Sequence, residues 1–237
     1  AVRRILRAKF ALGLFDASSH GTTDTVGDSA ARALAREAVG KSAVLLKNTN
    51  NVLPLRPSIP HILVAGGSAN NVGKQMGAWS IEWQGVDGNW PEGSTSILAG
   101  IQAAVSQATK VEYQPDGVFA SGTKAAIGIA VVGEMPYAEG WGDTALPILD
   151  EADRTAIKNL QAVADRVIVI VVAGRPLLMA EEVTTVDGLV MAWLPGSEGA
   201  GVADVLFGRR PFTGVLPLPW PLRSEQLPIT VAGETAD

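Results

Sequence analysis

One carboxylate, Glu198, stands on a glycine-flanked turn where it could give or take a proton. It lies in the segment LPGSEGAGVADVLFG, from Leu194 to Gly208, directly after the apolar run GLVMAWL. Glycines on both sides allow a ligand or another backbone to come close, and a carboxylate that meets a ligand there can act in general acid–base catalysis. A second interpretation stays open: Ser197 or Glu198 could cap a helix through GVADVLF.

Tryptophan is unusually frequent, with six residues against two tyrosines and five phenylalanines. Trp79, Trp83 and Trp90 fall in the polar, glycine-rich stretch WSIEWQGVDGNW, which does not have the composition of a core segment. An indole offers a flat apolar face together with a polar N–H, and this combination suits stacking on sugar rings. Trp83 is the first candidate for such stacking and Trp79 the second. The alternative is that these two residues, four apart, form a hydrophobic pair on a helix.

A loop with the sequence GEMPYAEGWGD combines acidic and aromatic side chains. It holds Glu134, Glu139, Asp143, Tyr137 and Trp141. Acids beside aromatic rings suit a polyhydroxylated ligand, and Glu134 and Tyr137 are candidate binding residues on this ground. A solvated loop could have the same composition. Arg175, in the segment AGRP, could pair with one of these acids or cap a turn.

The remaining acids of interest have simpler interpretations. Asp150 with Arg154 and Asp153 with Lys158 are expected to lie on a solvated helix face. Asp204, inside GVADVLF, is expected to serve helix-terminus electrostatics and not catalysis.

Four short apolar runs predict the strands that position these residues. The runs lie at 61–65, 126–132, 167–173 and 189–194. Because they lack polar alternation, the strands are expected to be buried on both faces. Helices are predicted at 95–108, 149–164 and 202–207, and the segment 29–47 begins with helical spacing and then turns into an apolar run. The pattern predicts an α/β fold: a doubly wound, mostly parallel sheet sandwiched by helices.

Each predicted strand is followed by a glycine-bearing loop. In a parallel sheet these loops emerge at the carboxyl edge, where open α/β sheets bind their ligands. The alternative is that the glycines only start the crossover connections. GGSANN, after the first of these strands, lacks the third glycine of the dinucleotide fingerprint, and the phosphate-loop motif is missing. No cofactor is therefore predicted, and an unrelated flavodoxin-like domain is disfavoured.

The composition excludes several classes of function. The 237 residues carry a net charge of −5, without the basic stripe that nucleic acid binding requires. The longest apolar run, Val167 to Ala173, is too short to span a membrane. The chain has no cysteine and two histidines, so neither thiol chemistry nor a metal site is expected.

Three segments are expected along the chain. The opening VRRILRAKFALGLF predicts a basic amphipathic helix over residues 1–15 that packs on another part of a longer protein. The polar stretch that follows predicts a linker at 16–30. Residues 31–237 are then the α/β domain.

These motifs, in this order, resemble the second domain of glycoside hydrolase family 3, a family of β-glucosidases and β-glucan exohydrolases. The resemblance rests on AREAVGKSAVLLKN with VLPL, GAWSIEWQG with GSTSILAGI, VVGEMPYAEGWGD, AGRP, AWLPGSEGAGVADVLFG and PFTGVLPLPWP. Together these segments run from about Ala31 to Pro228. The opening helix resembles the last helix of the family's first domain, a (β/α)₈ barrel.

The resemblance implies a retaining mechanism with two carboxylates. Glu198 matches the family's acid/base glutamate, whereas the nucleophile is an aspartate of the barrel domain. Trp83 matches one wall of the clamp that holds a sugar beyond the scissile bond, and the opposite wall belongs to the barrel. The implied substrate is a β-linked gluco-oligosaccharide or glucoside, and the implied partner is the barrel, in a missing segment or a separate chain.

Two parts of the family pattern are absent from the sequence. The barrel is missing, and the usual end of the second domain is replaced by VAGETAD, so the domain is expected to be truncated. The resemblance thus implies half a site, in which Glu198 is one carboxylate of a pair and another chain or segment supplies the other. The chain alone is expected to be inactive, and an enzyme of this kind is expected in the periplasm or outside the cell. The alternative is a non-catalytic carbohydrate-binding module that uses Trp83 and the acidic loop.

Overall fold

The computed structural model describes residues 1–16 and 26–229. The chain divides into two compact units, 1–33 and 34–237. Most of the predicted linker at 16–30, and most of the segment after Pro228 in which truncation is predicted, lie outside the described residues.

The first unit contains the predicted amphipathic helix, α1 (Val2–Ala11). Its apolar side chains, among them Ile5 and Phe10, are exposed. The rings of Phe10 and Phe15 approach to 4.6 Å between centroids. The carboxylate of Asp28 accepts a hydrogen bond from the Ala31 N–H at 2.8 Å, in the first turn of α2 (Ser29–Ser42). The helix α2 starts in the first unit and continues into the second.

The second unit is built on one six-stranded sheet. Its strands are β1 (Val44–Asn48), β2 (His61–Ala65), β3 (Lys110–Tyr113), β4 (Ala125–Gly133), β5 (Ala164–Val172) and β6 (Gly188–Trp193). They lie in the order β1-β6-β5-β4-β2-β3, with every pair parallel except β1 with β6. The mostly parallel sheet predicted from the sequence is therefore confirmed. The two edge strands β1 and β3 are not among the predicted strands. In the segment 29–47, the part with helical spacing forms α2, which ends at Ser42, and the apolar run after it belongs to β1.

Helices cover both faces of the sheet. They are α3 (Val72–Met76), α4 (Ile97–Ala104), α5 (Glu151–Gln161), α6 (Ala180–Thr185) and α7 (Ala200–Leu206). Helices α4 and α7 contribute to one buried apolar cluster, and α5 and α6 to the other. In β5, Ile168 and Ile170 face the first cluster, while Val169 and Val171 face the second. An apolar run without alternation thus gives a strand that is buried on both sides.

The carboxyl ends of β2, β4, β5 and β6 lie at one edge of the sheet because these strands are mutually parallel. Strand β2 is flanked by β3 on one side and β4 on the other, so the chain changes its winding direction at β2 and β4. Such a switch point opens a crevice at the carboxyl edge. The candidate residues all follow strands or helices that end there.

Candidate active site

Glu198 lies on the turn between β6 and α7, and this turn is tied to the segment before α4. Thr95 pairs with Glu198 in a parallel bridge. The N–H of Thr95 donates to the Ser197 carbonyl at 2.8 Å, and the Thr95 carbonyl accepts from the Gly199 N–H at 2.9 Å. Glu198 itself is only 4% exposed. The carboxylate is therefore held at a fixed place at the carboxyl edge.

The helix after this turn does not use Glu198 or Ser197 as its cap. The N-cap position of α7 is occupied by Gly199. The hydroxyl of Ser197 instead donates to Oε1 of Glu198 at 3.3 Å. The capping interpretation left open by the sequence is therefore wrong.

Gln75, near the end of α3, holds the Glu198 turn through hydrogen bonds. Its side-chain amide donates to the carbonyls of Thr95 at 3.0 Å and Gly196 at 2.9 Å, and its Oε1 accepts from the Ile97 N–H at 3.1 Å. Its backbone carbonyl also accepts from the Gly196 N–H at 2.8 Å. Gln75 is fully buried. Because every polar atom of its side chain is engaged, Gln75 fixes the turn against α3 and α4.

Gly196 and Gly199, on either side of Glu198, are each required by the structure for a different reason. Gly196 has a φ of +61°, a conformation that L side chains rarely adopt. A Cβ on Gly199 would lie 2.6 Å from the Ile97 nitrogen, so only glycine allows the turn to approach α4 this closely.

An ion pair between helices lies near the turn. The guanidinium of Arg36 on α2 donates to both carboxylate oxygens of Asp204 on α7, at 2.6 and 2.7 Å. This bond is the main cause that raises the pKa of Arg36, and the charge of Glu198 adds to it. Asp204 therefore joins two helices, which corrects the expectation that it serves a helix terminus.

Trp79 and Trp83 lie side by side in the loop after α3. Their ring centroids are 6.3 Å apart and the rings are tilted by 54°. The loop is not helical: Trp79 has a φ of +60°, and its N–H donates to the Trp83 carbonyl at 3.1 Å. The helical-pair interpretation is therefore wrong, although the rings do meet. Trp79 is 70% and Trp83 45% exposed, so both indoles remain available to a ligand.

Glu134 and Tyr137 form an internal network with Arg175. Arg175 donates from Nε to Oε1 of Glu134 at 3.0 Å, and the Tyr137 hydroxyl donates to Oε2 of Glu134 at 3.1 Å. The Arg175 guanidinium lies 4.7 Å from the centre of the Tyr137 ring. Burial, reinforced by the charge of Glu134, raises the pKa of Tyr137 to about 12. The predicted pairing of Arg175 with an acid of this loop is confirmed.

The Trp79–Trp83 loop and the loop after β4 are joined by Gln84. Its side-chain amide donates to the Ala138 carbonyl at 3.2 Å and accepts from the Ala138 N–H at 2.8 Å. Trp83 and three residues of the second loop line one shallow concavity. These three residues are Glu139, Gly140 and Trp141.

Asp153 lies beneath the same edge, against the prediction of a solvated helix face. It is 4% exposed and accepts a hydrogen bond from the Gly133 N–H at 2.8 Å. Burial raises its pKa to about 6. Asp150 caps α5 by accepting from the Asp153 N–H at 2.7 Å. The spacing Asp-x-x-Asp at the start of a helix is similar to a capping box, and this signal could have predicted the cap.

Three loops at this edge therefore carry Glu198, Trp79, Trp83, Glu134 and Tyr137. The side chains of Gln75, Gln84 and Arg175 hold these loops in place. Gln75 and Gln84 escaped prediction because a glutamine in a polar, glycine-rich stretch gives no sign of burial. Among residues 1–16 and 26–229, no cluster of three or more His, Asp or Glu side chains could hold a metal ion. Within the same residues no helix has the length and apolarity to cross a membrane.

Comparison with known proteins gives one family. A model of the glycosyl hydrolase family 3 C-terminal domain matches residues 43–236. The chain is similar to a lysosomal beta glucosidase of Dictyostelium discoideum, with 32% identity over 93% of this chain and 30% of that protein. It is also similar to a periplasmic beta-glucosidase of Salmonella typhimurium, with 30% identity over 97% of this chain and 34% of that protein.

A solved structure gives the same relationship. The exo-1,3/1,4-beta-glucanase of a Pseudoalteromonas species superposes with a TM-score of 0.79 and 39% identity, over 93% of this chain and 29% of that one. The chain spans about a third of the length of the curated relatives it matches.

Proposed function

The chain belongs to glycosyl hydrolase family 3, and from this membership we propose that it is the second domain of a retaining, exo-acting β-glucosidase or β-glucan exohydrolase. Its part in the reaction is to supply the acid/base glutamate, Glu198, and one aromatic wall of the sugar site. The nucleophile is an aspartate on a barrel domain, outside this sequence.

One observation carries the proposal: Glu198 is a buried carboxylate on a clamped turn at the ligand-binding edge of the sheet. In the first step its protonated form donates to the glycosidic oxygen while the nucleophile attacks the anomeric carbon and the aglycone leaves. In the second step its carboxylate takes a proton from water, which attacks the glycosyl–enzyme bond. The Ser197 hydroxyl, 3.3 Å from Oε1, orients the group between the two steps.

We place the second carboxyl group outside the described part of this chain. Retaining glycosidases place their two carboxyl groups about 5–5.5 Å apart. Two further carboxylates near this edge, those of Glu134 and Asp204, are held in ion pairs by Arg175 and Arg36. A carboxylate paired in this way is a poor nucleophile because its charge is already neutralised. This supports a nucleophile on the barrel.

Four side chains form the proposed substrate-binding surface at this edge: two contact the sugar and two support the facing loop. Trp83 stacks on the sugar beyond the scissile bond, and Trp79 packs beside it and extends the apolar surface. Glu134 and Tyr137 shape the facing loop, because their polar atoms are already engaged with each other and with Arg175.

The names of the relatives support the substrate and location. They are a lysosomal and a periplasmic beta-glucosidase and an exo-1,3/1,4-beta-glucanase. The proposed substrate is accordingly a β-linked gluco-oligosaccharide or glucoside. The proposed location is the periplasm or the cell exterior.

The acid/base role is tested with Glu198→Ala and the isosteric Glu198→Gln in the complete enzyme that carries this domain. We expect turnover of alkyl glucosides, which need protonation of the leaving group, to fall at least about 100-fold. Glycosylation by an aryl glucoside with a good leaving group should fall far less. Azide, a small nucleophile that needs no general base, should restore aryl-glucoside turnover in Glu198→Ala and yield the β-glucosyl azide.

The control is Asp165→Ala, which removes an exposed carboxylate at the amino end of β5, on the opposite edge of the sheet. Its rates should match those of the unchanged enzyme. Equal losses on alkyl and aryl glucosides in Glu198→Ala, without rescue by azide, would show that Glu198 is not the acid/base. If the complete protein binds oligosaccharides but cleaves none, the non-catalytic sugar-binding module would replace the enzyme as the explanation.

A further inference from the structure

Trp141 is the most exposed indole of the site loops, and neither the acid/base role nor the Trp83 stack uses it. Its side chain is 77% exposed at the tip of the loop after β4, in the single 3₁₀ turn Glu139–Gly142. An indole so open to solvent adds nothing to the core. Leaving such a large apolar group in water is unfavourable unless a ligand covers it.

The base of this loop is rigid. Arg175 donates from Nη1 to the Gly142 carbonyl at 2.6 Å, one residue after Trp141. Gln84 forms two hydrogen bonds with Ala138, three residues before Trp141. A Cβ on Gly142 would overlap the Tyr137 ring, so the turn sits tightly on that ring. The indole is therefore presented by a fixed support, which reduces the entropy lost when a ligand stacks on it.

Trp141 shares a concavity with Trp83. The two indoles, Glu139 and Gly140 line a shallow surface that is open to solvent. It combines two aromatic side chains, one carboxylate and an unobstructed glycine backbone. A sugar ring is complementary to this set, since its apolar face stacks on an indole while its hydroxyls donate to a carboxylate.

We propose that this concavity, defined by Trp83, Glu139, Gly140 and Trp141, is a subsite for the third glucosyl unit of a β-glucan chain. The inference rests on the proposed function: the terminal unit is held between the two domains, the second unit stacks on Trp83, and the third reaches Trp141. Glu139 accepts hydrogen bonds from the hydroxyls of this third unit. The open shape lets the remainder of a longer chain pass into solvent, as an exo-acting enzyme requires.

The test compares substrates that differ by this one unit. In the complete enzyme, kcat/KM is measured for laminaritriose and laminaribiose, and in parallel for cellotriose and cellobiose. With Trp141→Ala, we expect the trisaccharide-to-disaccharide ratio of kcat/KM to fall about tenfold for the preferred linkage, mainly through KM. Trp141→Phe, which keeps an aromatic face, should retain most of the ratio.

The matched control is Trp90→Ala. Trp90 is 57% exposed, lies outside the concavity, and donates its indole N–H to the Asp87 carbonyl within its own loop at 2.9 Å. This variant should leave the ratio unchanged. Equal thermal unfolding midpoints for the Trp141 and Trp90 variants would show that the fold is intact.

Two results separate failure of the subsite from failure of the proposed reaction. An unchanged ratio in Trp141→Ala, in an enzyme that still cleaves both substrates, would overturn the subsite alone. If Glu198 proves not to be the acid/base, the ratio still measures the subsite, because it needs only cleavage. If no sugar is cleaved, titration of the complete protein with laminaritriose decides: equal affinity for the parent and Trp141→Ala overturns the subsite.

Discussion

Burial controls the charge of Asp153, a residue that contacts the end of a central strand beneath the site. Its carboxyl group accepts hydrogen bonds from the Gly133 N–H and from the backbone of Gly67. These bonds and the charge of Lys74 lower its pKa, whereas burial and the charge of Asp150 raise it. Burial is the largest contribution, so the net result is a pKa of about 6 against an ordinary 3.8.

This shift predicts how stability depends on pH. The folded state holds the Asp153 proton more tightly than the unfolded state, so its contribution is fully present below about pH 4 and is lost as the pH rises through about 6. At 1.36 kcal/mol per pKa unit, the loss is about 3 kcal/mol. From pH 4 to 7 we expect the parent to lose about 2 kcal/mol of unfolding free energy relative to Asp153→Asn, in urea unfolding followed by fluorescence.

The asparagine variant is a close control because its side-chain oxygen can still accept from Gly133 while it carries no titratable proton. Other groups contribute equally to both proteins and cancel in the difference. A difference that stays flat from pH 4 to 7 would mean that Asp153 is charged in the folded state throughout this range.

At the scale of elements, the position of a loop depends on the end of a neighbouring strand. Arg175, just beyond β5, holds the loop after β4 at two points, the Glu134 carboxylate and the Gly142 carbonyl. The parallel pairing of β4 with β5 brings these two ends together. Arg175, together with Gln84, therefore holds the loop that presents Trp141 in place.

Removing the contact should release the loop. Arg175→Ala leaves Glu134 half-buried without its cation, and we expect a loss of unfolding free energy of about 2 kcal/mol. Chymotrypsin should cut at Tyr137 or Trp141 faster than in the parent, as followed by mass spectrometry. Arg166→Ala, an exposed arginine at the other end of the same strand, should change neither quantity. Unchanged cleavage in Arg175→Ala would show that the loop is held by other contacts.

The four central strands could be predicted because each is buried on both faces, which leaves a continuous apolar run in the sequence. The edge strands could not be predicted in this way. Strand β3 (KVEY) is short, and its polar and half-buried apolar residues alternate, whereas β1 (VLLKN) follows a helix without a breaking residue. The antiparallel pairing of β1 with β6 depends on a tertiary contact that no local pattern encodes.

The candidate site also contains residues that a local sequence pattern reveals and residues that only the folded structure reveals. Glu198 and Trp83 stand out as candidates in the sequence because glycine neighbours and a polar context make an acid and an indole conspicuous. Gln75 could not, because its four hydrogen bonds join residues that are distant in sequence. The burial of Asp153 could not be predicted because the charged residues around it suggest a solvated face, and only the packing of α5 on the sheet buries it.

At the scale of the molecule, the candidate site is open on one side. The chain spans about a third of the length of its curated relatives. Glu198 and the tryptophans lie on loops at one edge of the sheet. Two carboxylates near this edge, those of Glu134 and Asp204, are paired with Arg175 and Arg36. As proposed, the site supplies a proton donor and an aromatic wall but not the nucleophile, so it can bind a sugar without cleaving it.

The 237-residue chain on its own is therefore expected to hydrolyse neither aryl β-glucosides nor laminaribiose, because retaining cleavage needs a nucleophile as well as an acid. Purified chain is assayed beside the complete enzyme at equal molar concentration, with intact-mass analysis to exclude a co-purifying barrel polypeptide. The complete enzyme should be active and the isolated chain should remain at the buffer rate. Activity that survives purification and disappears in Glu198→Gln would mean that the nucleophile lies within these 237 residues, and the half-site proposal would be wrong.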